Sequence, residues 1–257
     1  MGFFCAVLLG PAVWAADQPV VLVAGATGET GIHIVRALAE KGFAVRGLVR
    51  DPAKAQEQNG DLAEWVTGNV REPASLGAAM HGATYVISAI GSRERDGPNN
   101  FENIDWLGNR NLIDAAKAAG VKRVVLITSG SAGVEGADPK AQMFTGRFWK
   151  GKAENYLRAS GIDYTIIAPG GLRNFKGGEK GVLLRPRVQY TVGTVARPDV
   201  AAVTAECVTN PACGDKTLTI INTDAAKPGA WLETLAALPI DTLETGRGGQ
   251  KADRIEE

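Results

Sequence analysis

The stretch Val20-Val21-Leu22-Val23-Ala24-Gly25-Ala26-Thr27-Gly28-Glu29-Thr30-Gly31 leads from an apolar, β-branched run into three glycines spaced three apart. Such a run reads as a strand buried on both faces. Gly25 permits a sharp turn at its end, Gly28 leaves the loop bare so that a phosphate can approach backbone N–H groups, and Gly31 lets the next helix lie close on the strand. Unpaired donors and the positive end of the helix dipole favour an anion there. Ile32, Val35, Leu38 and Ala39 then share one helical face, Lys41 stands in the last turn and Gly42 stops the helix. A second strand at 43 to 49 completes the strand, turn, helix, strand order that a dinucleotide fingerprint requires. Gly25, Thr27, Gly28, Glu29, Thr30 and Gly31 are therefore expected at a nucleotide cofactor.

The end of the second strand selects the dinucleotide: a carboxylate there accepts from a ribose hydroxyl, whereas an arginine pairs with a 2′-phosphate. The residue is Arg50, whose guanidinium matches phosphate geometry and favours NADP, with NAD the alternative. Asp51, followed by Pro52, reads as a helix N-cap with proline at the first helical position.

At 257 residues the chain can bury one substantial core as a single α/β domain. Lys plus Arg and Asp plus Glu both total 28, so no net field draws the chain to nucleic acid or to an anionic membrane. Strands are expected at 19 to 24, 43 to 49, 64 to 67, 83 to 90, 121 to 128, 163 to 168 and 216 to 221. Helices are expected at 103 to 119 and 148 to 160, with others near 73 to 80, 198 to 209 and 229 to 237. This alternation implies a Rossmann-type doubly wound parallel sheet with ligands at the carboxyl ends of its strands. The stretch from 170 to 195 breaks the pattern and carries Arg173, Lys176, Lys180, Arg185 and Arg187. It reads either as part of a small C-terminal substrate lobe, spanning about 170 to 240, or as a solvated loop.

Gly25 to Gly31 together with Leu48-Val49-Arg50-Asp51-Pro52 resembles the atypical short-chain dehydrogenase/reductase superfamily, and more narrowly its NmrA-like NAD(P)-binding proteins. Later segments resemble it in order over about residues 19 to 223. Gly68-Asn69-Val70-Arg71 is similar to the turn at the adenine, with Asn69 in place of the family's aspartate. Ala89-Ile90-Gly91-Ser92 is similar to the exit of the fourth strand near the ribose and nicotinamide, and Pro169-Gly170-Gly171-Leu172 to the loop beyond the sixth. The resemblance implies cofactor contacts at Asn69, Val70, Ala89, Ile90, Gly91 and Pro169.

Enzymes of that superfamily combine a serine, a tyrosine and a lysine four residues after it. The resemblance places Ser129 as the serine and Lys152 as the lysine, and Phe148 then stands where the tyrosine would be. Tyr156, one helical turn beyond Lys152, is a packing residue or a substitute acid. In members without the tyrosine the resemblance implies that the lysine still holds the nicotinamide ribose. Two functions follow. One is hydride transfer from NADPH to a flavin- or quinone-like acceptor without a catalytic tyrosine, similar in outline to flavin reductases of the biliverdin reductase B type. The other is a non-catalytic NADP(H)-binding sensor or assembly module that meets a protein partner.

His33 and His81 lie too far apart to join the cysteines in a metal site, and no CxxC or HExxH occurs. Cys207 and Cys213 flank Asn210-Pro211 and can approach each other; in a reducing cytoplasm they read as free packing residues. Met1 to Ala16 is apolar and resembles an export signal with a small-residue cleavage site, although it lacks a basic start and is short for a membrane span. Export or membrane tethering is expected, with a cytoplasmic protein and a different start codon as the alternative. Residues 241 to 257 lack periodicity and read as a disordered tail.

Overall fold

The computed structural model describes residues 18–133 and 145–242. The signal-like segment at 1 to 16 and the tail from 243 onward lie outside the described residues. Ten strands occur among the described residues, and eight of them form one sheet. The nucleotide-fingerprint half contributes β1 (Val20–Ala24), β2 (Ala44–Val49), β3 (Glu64–Thr67), β4 (Ala83–Ser88) and β5 (Arg123–Ile127). Then come β6 (Asp163–Pro169), the short β7 (Gly171–Arg173), β8 (Gly181–Pro186), β9 (Thr194–Ala196) and β10 (Lys216–Thr223). The spatial order is β3-β2-β1-β4-β5-β6-β10-β8, all parallel except β8, which runs antiparallel to β10 at the edge. The α/β doubly wound sheet is the architecture that alternating apolar strands and amphipathic helices imply.

Helices cover both faces: α1 (Gly31–Glu40), α2 (Pro52–Asn59), α3 (Leu76–Met80), α4 (Asn109–Ala118), α5 (Gly146–Ala159), α6 (Arg197–Cys207) and α7 (Trp231–Leu235). A π-helical turn, Glu102–Gly108, runs directly into α4. Alternation along β1 divides the core. Val21 and Val23 join Ile34 and Leu38 of α1 and Val200 and Val203 of α6, while Leu22 and Ala24 join Leu112 of α4 and Leu157 of α5 on the opposite face. The seven strands expected from apolar runs are present. The stretch from 170 to 195 is neither continuous loop nor helix. It holds β7, β8 and β9, with β7 and β9 forming a second, two-stranded sheet.

Cys207 and Cys213 are joined by a disulfide, in place of the free thiols expected for a reducing compartment. The Asn210 side chain accepts from the Ala212 N–H at 2.9 Å and folds the chain back after α6, which brings the two Cα atoms to 5.3 Å, within bridging range. Among the described residues no helix is long and apolar enough to cross a membrane.

The order of strands reverses between β1 and β4, whose connections leave on opposite faces of the sheet. The carboxyl ends of these two strands open a crevice where ligands of this fold class bind.

Candidate functional site

That crevice is a cavity of about 800 Å³, lined by the loop after β1, the ends of β2 and β3, the exit of β4, and residues from α5, β7 and α6. Glycine is required where the loop passes closest to its neighbours. A Cβ on Gly25, which has φ +77°, would lie 2.8 Å from the Ala89 carbonyl oxygen, and one on Gly31 would lie 2.0 Å from that of Gly25. The Gly28 N–H turns back to the Gly25 carbonyl at 3.0 Å. The N–H groups of Thr27, Glu29 and Thr30 make no hydrogen bond among the described residues. Bare backbone donors at a helix N-terminus, with no side chain filling the cradle, fit a pyrophosphate.

Of the residues expected at the cofactor, Gly25, Thr27, Gly28, Glu29, Thr30, Arg50, Asn69, Val70, Ala89, Ile90 and Gly91 line this cavity. Gly31 lies behind it, under the loop. Arg50 is exposed at the rim, while Asp51 accepts from the Lys54 N–H at 3.0 Å and caps α2. Asn69 is committed to its own turn: its side-chain Oδ1 accepts from the Arg71 N–H at 3.1 Å and its Nδ2 donates to Glu72 at 2.6 Å.

Ser129, Lys152 and Pro169 are not among the lining residues. Ser129 turns its hydroxyl to Ser131 at 3.2 Å, and the hydroxyl at the exit of β5 that lines the cavity is that of Thr128, buried and without a partner among the described residues. The Pro169 carbonyl accepts from Gly130 at 2.7 Å and ties β6 to the end of β5. Lys152 lies on the exposed side of α5, with Nζ 5.1 Å from the Trp106 ring centroid and 5.2 Å from that of Trp149. The lysine that reaches the cavity is Lys150, two positions earlier. Two residues turn a helix by about 200°, so these lysines face nearly opposite ways.

Lys150 Nζ stands 2.6 Å from Oδ1 of Asp105, whose side chain is wholly buried. The other Asp105 oxygen accepts from the Ser92 N–H at 3.0 Å. The π-helical turn presents Asp105 at this point, and it is fastened to β4 by Asn109, which donates to the Asp105 carbonyl at 2.9 Å and accepts from Ser88 Oγ at 2.6 Å. Inserted π-helical turns concentrate at functional sites. Sequence reading missed Lys150 and Asp105, and the one signal available was the cluster of lysines at the start of α5.

Among the described residues no tyrosine lines the cavity. Tyr156 donates to Asp114 at 2.6 Å and packs edge-on against Trp106. That hydrogen bond, then burial, raises its pKa, which makes it a poorer acid at neutral pH. Tyr190 lies against Gly130, where a Cβ would be 2.1 Å from its ring.

The segment that follows β8 is fixed to the end of β5 by buried charge. Arg187 donates to the carbonyls of Ser129 at 2.6 Å and Gly130 at 2.9 Å and pairs with buried Glu154. Glu154 also pairs with Arg158, which reaches Asp241 at 3.2 Å. The packed chain thus runs on to Asp241, where sequence reading began the tail. No group of His, Cys, Asp or Glu able to hold a metal occurs among the described residues.

Residues 25–211 match the NAD(P)H-binding family. The chain is 37% identical over 225 residues to sanguinarine reductase of Eschscholzia californica, covering 70% of this chain and 81% of that one. It is 34% identical over 223 residues to Protein TIC 62, chloroplastic, of Pisum sativum, covering 76% of this chain but 41% of that longer protein. Among solved structures it resembles an anaerobillin reductase of Escherichia coli with a TM-score of 0.63 and 28% identity, over 82% of this chain and all of that one. The chain belongs to the NAD(P)H-binding family, and its fold is that of the family.

Proposed function

We propose that this member of the NAD(P)H-binding family is an NADPH-dependent oxidoreductase that reduces a flavin- or quinone-like small molecule. The observation that carries the reading is the cavity itself, in which a bare phosphate loop, Arg50 and the Lys150–Asp105 pair lie along one crevice. When bound, the nicotinamide cofactor supplies a hydride. The N–H groups of Thr27, Glu29 and Thr30 hold the pyrophosphate, and Arg50 at the end of β2 meets the 2′-phosphate. Lys150, oriented by Asp105, lies near the exit of β4 and holds the nicotinamide ribose. The role that the resemblance assigned to Lys152 passes to Lys150 on geometric grounds. Thr128 lines the cavity with a hydroxyl that has no partner among the described residues and would be open to a bound acceptor. Among the described residues no tyrosine lines the cavity, which favours an acceptor that can take its proton from water, such as a flavin or a quinone. The reductase names of sanguinarine reductase and anaerobillin reductase support this reading. Met1 to Ala16 as an export or tethering segment belongs to it too, and the first residue of the mature protein tests that part.

The second reading, an NADP(H)-binding module that docks on a protein complex, is favoured by the missing tyrosine and by the likeness to TIC 62. Fluorescence titration with NADPH and NADH, followed by absorbance at the NADPH band with flavin and quinone acceptors, separates the two. Tight binding with steady oxidation supports the reductase. Tight binding with no oxidation supports the docking module.

A further inference from the structure

Glu29 lies on the phosphate-binding loop, yet its carboxylate holds two arginines that reach it from different segments of the chain. Arg93, from the segment after β4, stands 2.6 Å from Oε1, and Arg197, the first residue of α6, stands 2.7 Å from Oε2. Arg93, foremost, and Arg197 hold the Glu29 carboxyl below the usual carboxylate range, so it is ionised at neutral pH. All three residues line the cavity. Arg197 is nearly buried, at 12% side-chain exposure. Its Nη1 donates to Asn174 at 2.7 Å, and its Nε is buried without a partner among the described residues. A nearly buried guanidinium with an unused donor, lining the same cavity as unused backbone N–H groups, is chemistry for an oxyanion.

The charges make the arrangement specific. The two arginines and Glu29 sum to one positive charge, whereas a dinucleotide pyrophosphate brings two negative ones to the same loop. Without the carboxylate the two guanidinium groups would match it. A pyrophosphate on this loop therefore competes with Glu29 for its own counterions.

We propose that Arg93 and Arg197 are pyrophosphate ligands masked by Glu29, a carboxylate of the binding loop that must yield them for the dinucleotide to seat. Glu29 thereby lowers cofactor affinity, against the ordinary expectation for a residue of the fingerprint loop. The affinity measured is the intrinsic one reduced by the cost of breaking the two ion pairs. The inference rests on the reading that this cavity holds a dinucleotide.

The test is NADPH titration of the full chain by fluorescence, at low salt and at 0.5 M salt, for wild type, Glu29→Gln, Arg197→Met and Glu29→Gln/Arg197→Met. At low salt Glu29→Gln binds about threefold to tenfold tighter than wild type, and Arg197→Met binds about tenfold more weakly. Most of the Glu29→Gln gain vanishes in the Arg197→Met background, and both effects shrink at 0.5 M salt. Arg197→Lys, which keeps the charge, retains part of the affinity and replaces Arg197→Met should that variant not fold. Unchanged or weaker binding by Glu29→Gln overturns the proposal, as does a gain undiminished by loss of Arg197. A wild-type chain that binds no dinucleotide would instead overturn the reading of the cavity.

Discussion

Replacing Lys150 with Met separates the two lysines of α5 by a magnitude that the structure sets. The substitution removes the cation 2.6 Å from Asp105, whose side chain is wholly buried, and leaves that carboxylate with the Ser92 N–H. An orphaned buried charge costs about 3–5 kcal/mol. Lys150 keeps 19% of its side-chain exposure, which lets water into the vacated space, so the expected loss is near the lower end, about 3 kcal/mol. Adding Asp105→Asn removes the charge as well, and the double variant should recover to within about 1 kcal/mol of wild type, because a neutral amide in that place needs no counterion. Lys152→Met removes only contacts of an exposed cation with Trp106 and Trp149, worth about 0.5–1 kcal/mol. Urea unfolding at pH 7 gives each difference from the midpoint at constant slope. Equal losses for Lys150→Met and Lys152→Met, or a double variant no better than Lys150→Met, would refute the pairing. NADPH affinity read on the same variants should fall for Lys150→Met and stay within about twofold for Lys152→Met, a shift of under about 0.5 kcal/mol.

Arg50→Glu should weaken NADPH about tenfold to a hundredfold, the worth of a charge-assisted hydrogen bond, while changing NADH little; equal loss of both in a titration would remove Arg50 from the 2′-phosphate. Gly31→Ala places a Cβ 2.0 Å from a backbone oxygen of the phosphate loop, so the loop must move. It should lose about 1–3 kcal/mol in urea unfolding and most NADPH affinity, and an unperturbed variant would contradict the packing. Glu206 accepts from Lys41 at 2.8 Å and Asn210 at 2.9 Å, and the Lys41 hydrogen bond, foremost, lowers its pKa. Its folded value lies below its unfolded one, so the link between α1 and α6 contributes fully above the ordinary carboxylate range and is lost as pH falls through the folded value. Because the pair is part-exposed the contribution is at most about 1 kcal/mol, and Glu206→Gln should narrow the stability difference between pH 7 and pH 3.5.

Much of the sheet was legible because its strands are buried on both faces and therefore read as unbroken apolar runs, as Val20 to Ala24 and Val124 to Ile127 do. β8 was not legible. It is an antiparallel edge strand, and in Gly181–Pro186 the buried Val182 and Leu184 are followed by exposed Arg185 and then Pro186, which reads as loop. The phosphate loop was legible for a different reason: its glycines answer to local backbone geometry, which a sequence expresses directly.

Side-chain convergence is not local, and there the sequence fell short. A helix places neighbouring residues on different faces, so the choice between Lys150 and Lys152 depended on the phase of α5 against the sheet. That phase was decided by burial of Trp149, Ala153 and Leu157. Asp105 was invisible because only the π-helical turn and its anchor on Ser88 through Asn109 bring it to Lys150. Arg197 lies just before the helix expected near 198 to 209 and was not singled out, yet it meets Glu29 because α1 and α6 pack side by side on one face of the sheet. The sequence by itself determined the strand-turn-helix cradle for a dinucleotide, since glycine spacing and apolar periodicity act over a few residues. Only the tertiary structure decided which charges stand in that cradle, because partners distant in the chain meet through the packing of whole elements.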